Sequence, residues 1–319
     1  MRAARLGAMV VFAGLALAAP VQAERDLNDL FGIAVKRYSQ GALAVMGFAA
    51  VPSETASALI LDTGANPGRQ ADFVAAQLGG GFRWSDDLPV YLEGYIGYNR
   101  YDPVLVLEGQ GQTSRLPLKW TSVAATGGIG YEFDLSPYLV LRPLAHIVLG
   151  RVQTDTSVAA KKIGDFIDVD VNSLKDGGFT AGGGGASLAL YYDRRFENDY
   201  EVDMSLRYTY LHFEPIGGDK DLGTASDAST LTLWSRQRFP TGKRLFNRPV
   251  RVVTEASMSY MPGDQGEVLN TDWLAQIGLG GEIDLVQTWV PWVTTTRLVA
   301  RYTKGEYLEG YSLGLAASF

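Results

Sequence analysis

EVDMSLRYTYLH, residues Glu201 to His212, reads as two interleaved sets of side chains. Val202, Met204, Leu206, Tyr208 and Tyr210 are apolar or aromatic, whereas Asp203, Ser205, Arg207 and Thr209 are polar. Strand side chains point alternately to opposite faces, so a period of two predicts a strand with one greasy face and one polar face. In a soluble sandwich the polar face would be a solvated exterior rich in Lys and Glu. Here the polar positions carry Ser, Thr and isolated charges, the composition of a crowded polar interior, and the greasy face is left to meet lipid.

The same parity extends in both directions along the chain. In WLAQIGLGGEIDL, Trp273, Ala275, Ile277, Leu279 and Ile283 oppose Gln276, Gly278, Gly280, Glu282 and Asp284; in VRVVTEASMSY, Val250, Val252, Ala256, Met258 and Tyr260 oppose Arg251, Glu255, Ser257 and Ser259. Candidate strands fall near residues 56–63, 69–84, 89–101, 118–134, 138–152, 178–194, 200–214, 226–239, 250–262, 271–285, 291–304 and 308–319. Tight turns (SDDL, DLSP, FEND, VQTW) join some of them, and longer polar stretches (DPVLVLEGQGQTSRLP, residues 153–177) join others. Short connections at one end and long ones at the other predict an all-β fold, a transmembrane antiparallel up-and-down β-barrel of about twelve strands over 56–319. Trp84, Tyr91, Tyr131, Tyr138, Tyr192, Tyr260, Trp273, Trp289, Trp292, Tyr302 and Phe319 fall at strand ends, where aromatic rings sit at a membrane interface.

The amino terminus supplies a compartment. Arg2 and Arg5 precede the apolar run Leu6–Ala19, and Val21–Ala23 offers small residues for cleavage, so residues 1–23 read as a signal peptide. The run is shorter than the ~20 residues a membrane-spanning helix needs. Residues 24–55 differ from the strands: Leu27, Leu30, Phe31, Val35 and Tyr38 have helix-like spacing. They predict a short helix followed by an extended segment, lodged in or under the pore; a targeting tail is the other reading. The chain has no Cys, and its 28 Lys and Arg against 35 Asp and Glu show no basic stripe, so no nucleic-acid partner is expected.

A site for chemistry is hard to find. Only His146 and His212 exist, no G-x-S-x-G elbow appears, and neither histidine has a serine at a convincing same-face spacing near the outer rim. The stretch containing Asp165, Asp168, Asp170, Asn172 and Asp176 begins like a calcium loop, but Ser173 stands where Gly is needed and Phe179 where the bidentate Glu belongs. Gly182–Gly185 lacks the Lys-Ser/Thr of a phosphate cradle and suits a bend or a close approach. We therefore expect no catalytic residue, no metal and no cofactor. The polar parity instead collects charges: Glu93, Glu132, Asp193, Asp203, Arg207, Arg236, Arg238, Arg251, Glu255, Glu282, Asp284, Arg297 and Arg301. Mixed carboxylates and guanidiniums predict a paired network in the lumen, because an unpaired charge there costs several kcal/mol. Arg297 in particular is expected opposite Glu282 or Asp284. Such a network either seals the pore or lines a narrow solute path.

GYSLGLAASF, Gly310–Phe319, ends the chain on an alternating strand with Tyr311, Leu313, Leu315 and Phe319 on one face. Together with GFAAVPSETASALILDTG, Gly47–Gly64, it resembles the solitary outer-membrane autotransporter-like barrels, whose barrel has no large passenger. The terminal strand also resembles the signal read by the barrel insertion machinery. That resemblance implies a monomer in outer-membrane lipid with a structural or translocator-type role. A porin-like small-solute channel is the alternative, and a lipid-modifying enzyme the third reading. The segment 24–55 is too short for a passenger domain.

Overall fold

The computed structural model describes residues 40–55, 58–62, 72–102, 104–109, 112–117, 119–154, 178–218, 224–284, 295–306 and 308–318. Its strands are β1 (Ala58–Asp62), β2 (Asp72–Arg83), β3 (Val90–Asp102), β4 (Val104–Gly109), β5 (Gln112–Pro117), β6 (Trp120–Tyr131), β7 (Phe133–Ser136) and β8 (Leu139–Thr154). They continue as β9 (Gly178–Arg195), β10 (Glu201–Gly218), β11 (Ser226–Leu245), β12 (Arg248–Tyr260), β13 (Trp273–Asp284), β14 (Thr295–Gly305) and β15 (Glu309–Ser318). Among the described residues two helices accompany them, α1 over residues 40–50 and α2 (Asp264–Leu269).

Antiparallel pairing runs β1–β2–β3–β6–β8 and on through β9 to β15, which returns to β1. The sheet therefore closes on itself as a ring, with β7 continuing β6 past Glu132 along β8. Closure removes the exposed strand edge that lipid cannot satisfy. At one end the described connections are tight. Phe246 and Asn247, both at positive φ (50° and 63°), make the two-residue turn between β11 and β12. At the other end lie the β4–β5 hairpin and the α2 connection. In barrels of this kind the tight turns usually face the periplasm and the long loops the exterior, and the two ends are named by that convention.

Side-chain parity follows the sequence. Ile277, Leu279, Leu298, Leu313 and Leu315 are exposed on the outer wall, while Glu93, Ser187, Asp203, Arg207, Glu255, Glu282 and Arg301 are buried inside. Leu279 is 63% exposed, midway along β13. Replacing it with Arg is expected to destabilise the membrane-inserted barrel by roughly 2–4 kcal/mol. Urea unfolding in lipid vesicles would read this, and a variant as stable as the parent would refute lipid exposure at that depth. Tyr91 departs from the interfacial ring expected of it. It faces the lumen, with the Arg142 guanidinium 3.4 Å from its ring centroid. It shares the odd, inward parity of Glu93 and Tyr95, and parity outweighs its position near a strand end.

The second departure is the plug. The helix does form in the 24–55 segment, but over 40–50, where an extended stretch was expected. The apolar spacing at Leu27–Tyr38 lies outside the described residues, as do Phe319, Trp289, Trp292 and the 165–176 loop. GALAVMGFAA (41–50) is apolar on every side, so it has no moment to betray it, and a helix apolar all round has to be buried all round. Ala42, Leu43, Val45, Met46, Ala49 and Ala50 are indeed buried. They pack with Phe73, Tyr101, Trp120, Val152, Phe179 and Phe213, all at the long-loop ends of their strands, so a hydrophobic core fills the outer half of the lumen.

Candidate functional site

The wall is cut to fit this helix. Gly97, on the inward face of β3, meets the Ala49 carbonyl so closely that any Cβ there would collide with it. Gly47 of the helix in turn lies against Gln265 of α2, where a Cβ would stand 2.8 Å from Nε2. Polar side chains of β2, β3 and β6 donate to backbone carbonyls in the inner half of the helix and at its inner end. Asn99 donates to Val45 O at 2.6 Å, Thr126 to Ala50 O at 2.6 Å, and Gln77 to Ala49 O and Val51 O at 3.1 and 2.9 Å. Gln77 also accepts from the Ser53 amide at 3.0 Å. Unfilled carbonyls at a buried helix end would each cost ~1–3 kcal/mol, so these contacts define a dedicated seat. At the other end Gln40 lies 3.4 Å from the carboxylate of Asp264 in α2, beside the outer mouth.

Beneath the helix the linker meets a layer of charge. Glu54 accepts from the Tyr191 hydroxyl at 2.5 Å and lies 3.9 Å from Arg207. Arg207 grips Glu93 with two parallel hydrogen bonds, at 3.1 and 2.5 Å. This fork geometry is the strongest form of the pair. Nearer the periplasm, Glu132 holds Arg142 and lies 3.5 Å from Arg83. Asp203 binds Arg236 and Arg238, and Glu201 binds Arg238 and Arg251. Glu282 receives Arg251 at 3.2 Å.

Arg297 stands directly opposite Glu282 in the β13–β14 register, with 3.8 Å between guanidinium and carboxylate. Arg301 does not pair with Glu282 or Asp284 as the hairpin alone suggests. Its register partner is Gly278, which has no side chain, and its arm crosses that gap to Glu255 on β12 at 2.7 Å. Asp284 lies opposite Thr295. Tyr311, Leu313 and Leu315 are exposed on the outer wall of β15.

His212 faces outward near the outer rim and is hydrogen-bonded to Asp227 at 2.7 Å. His146 faces inward midway along β8, away from the outer rim where a serine was sought, and there it does have one: Nε2 lies 2.8 Å from Ser187 Oγ, with Glu93 3.6 Å from Nδ1. The missed signal is a register across the long β8–β9 loop, which no local pattern reveals. The trio resembles a nucleophile set only in outline. Both Glu93 oxygens are taken by Arg207, Ser187 also bonds Thr209 at 2.8 Å, and the His146 and Glu93 side chains are 0% and 1% exposed. Among the described residues no group of three His, Cys, Asp or Glu is placed to hold a metal ion.

No protein-family model matches the chain, and no curated protein matches it. Solved structures do show similarity. The β-domain of the Bordetella autotransporter BrkA is 14% identical over 82% of this chain and 96% of its own, with a TM-score of 0.48. The transport unit of the autotransporter AIDA-I from Escherichia coli is 13% identical over 88% and 99%, with a TM-score of 0.43. A KdgM porin in complex with disordered oligogalacturonate is 9% identical over 82% and 99%, with a TM-score of 0.33.

Proposed function

We propose that this outer-membrane-type barrel is a translocator-type pore held shut by its own N-terminal segment, without enzymatic activity. The observation that carries this reading is the seating of residues 40–50 within the ring, buried and hydrogen-bonded to wall residues at Gln77, Asn99 and Thr126. A solute channel needs a continuous aqueous path, and here apolar packing in the outer half and the Arg207–Glu93 layer below it oppose one. The helix runs from Gln40 at the outer mouth inward to the linker.

Because the chain has no Cys, a single Gln40→Cys variant tests that direction cleanly. A membrane-impermeant maleimide should label it on intact cells. Labelling only after the outer membrane is permeabilised would overturn the outward course. Purified barrel in planar bilayers is expected to stay silent, and stable openings of the unaltered protein would favour the channel instead.

A further inference from the structure

A cavity of about 350 Å³ lies in the periplasmic half of the lumen, at the low end of the size range of small-molecule sites. Pro137 and Tyr138 of the β7–β8 turn line it, and Glu54 of the linker reaches its wall. Three guanidiniums line it. Arg142 is committed to Glu132 and stacked between the rings of Tyr91 and Tyr191, at 3.4 and 4.2 Å. Arg236 is committed to Asp203 at 2.6 Å and lies 5.1 Å over the Trp234 ring.

Arg297 is different. Its nearest carboxylate oxygens, on Glu282 and Glu255, are 3.8 and 4.0 Å away, beyond hydrogen-bond length, and it makes no hydrogen bond among the described residues. Its side chain is 12% exposed and its nitrogens are not among the sealed, unpartnered polar atoms of the barrel, so the cavity reaches them. A guanidinium carries five donors in a planar fork that matches a carboxylate or phosphate with two parallel bonds. A guanidinium fork that makes no direct hydrogen bond, beside an open cavity, has donors to offer an incoming acceptor.

From this geometry we infer that the periplasmic cavity binds a small solute bearing an oxyanion, carboxylate or phosphate, gripped by Arg297 with the Arg236 cation on the same wall. Trp234, Tyr138 and Tyr191 supply ring faces for the rest of such a solute. The wall's own carboxylates do not cancel the site equally. Asp203 and Glu54 already have donors, and Asp193, opposite Asp203 in register and exposed, adds a further negative charge to the wall. This goes beyond the closed-barrel reading, since a shut barrel can hold a ligand on its periplasmic side and an open one can lack the site.

The test is calorimetric titration of the full folded chain in detergent with inorganic phosphate, citrate and benzoate, and with neutral benzamide as control. At least one oxyanion should bind, which of them does so distinguishes a phosphate from a carboxylate ligand, and benzamide should not bind. Arg297→Gln should weaken that binding at least tenfold, and Asp193→Asn, at an exposed position that leaves the fold intact, should tighten it. Absence of binding by all three anions, equal binding of benzamide, or an Asp193→Asn variant with unchanged or weaker affinity would overturn the site.

Discussion

Replacing Glu93 by glutamine is expected to destabilise the barrel by about 3–5 kcal/mol, the range for stripping one partner from a buried ion pair. The Arg207 side chain is 4% exposed and both of its bonds to carboxylate oxygens go to Glu93. Glutamine keeps the volume but removes the charge, leaving a guanidinium in a low-dielectric layer with only Glu54, 3.9 Å away, to answer it. Urea titration of the folded barrel in vesicles, followed by tryptophan fluorescence, reads the loss. A change of about 0.5 kcal/mol, typical of an exposed site, would mean the pair is hydrated and the lumen wet at mid-height. Removing both charges should do less harm than removing one. Glu93→Leu combined with Arg207→Met leaves no stranded ion, and such double replacement is often neutral or stabilising.

This asymmetry also explains what the sequence could and could not disclose. The outward set Val202, Met204, Leu206, Tyr208 and Tyr210 and the inward set Asp203, Ser205, Arg207 and Thr209 were legible because a strand's face is a local property. Closure through β1 and β15 follows once the strands are counted, since a ring leaves no edge. Partners inside the ring are a different matter. Glu93 and Arg207 lie on strands far apart in sequence and meet across the lumen, where no ladder register relates them. Ser187 faces Thr209 through a tight turn and could be counted, whereas its bond to His146 depends on a loop of unspecified register. The plug escaped because GALAVMGFAA has no polar face for a helical period to mark.

Gly97→Val is expected to turn a silent barrel into a conducting one. The inward face of β3 at Gly97 touches the Ala49 carbonyl, and two methyl groups cannot share that space with it. The neighbour that must yield is backbone rather than the end of a flexible arm, so the cost falls on the helix as a body. Its seat is registered by Asn99 on Val45 O, Thr126 on Ala50 O and Gln77 on Ala49 O, and a shift that clears Gly97 strains those bonds together. Each carbonyl left unfilled in the dry core adds ~1–3 kcal/mol, so displacement of the helix from the lumen becomes the cheaper outcome than a strained fit. The wall should survive, because β3 keeps its ladders to β2 and β6 whatever the helix does. Gly94, on the same strand but facing outward with nothing within 4 Å of a Cβ, provides the control: Gly94→Val should leave the barrel silent. Single-channel recording in planar bilayers compares the two variants directly. Long-lived openings in Gly97→Val alone would show that residues 40–50 are what shuts the pore. Silence in both would show that the Arg207–Glu93 layer closes it unaided, and the next variant to record would then be Gly97→Val combined with Glu93→Gln.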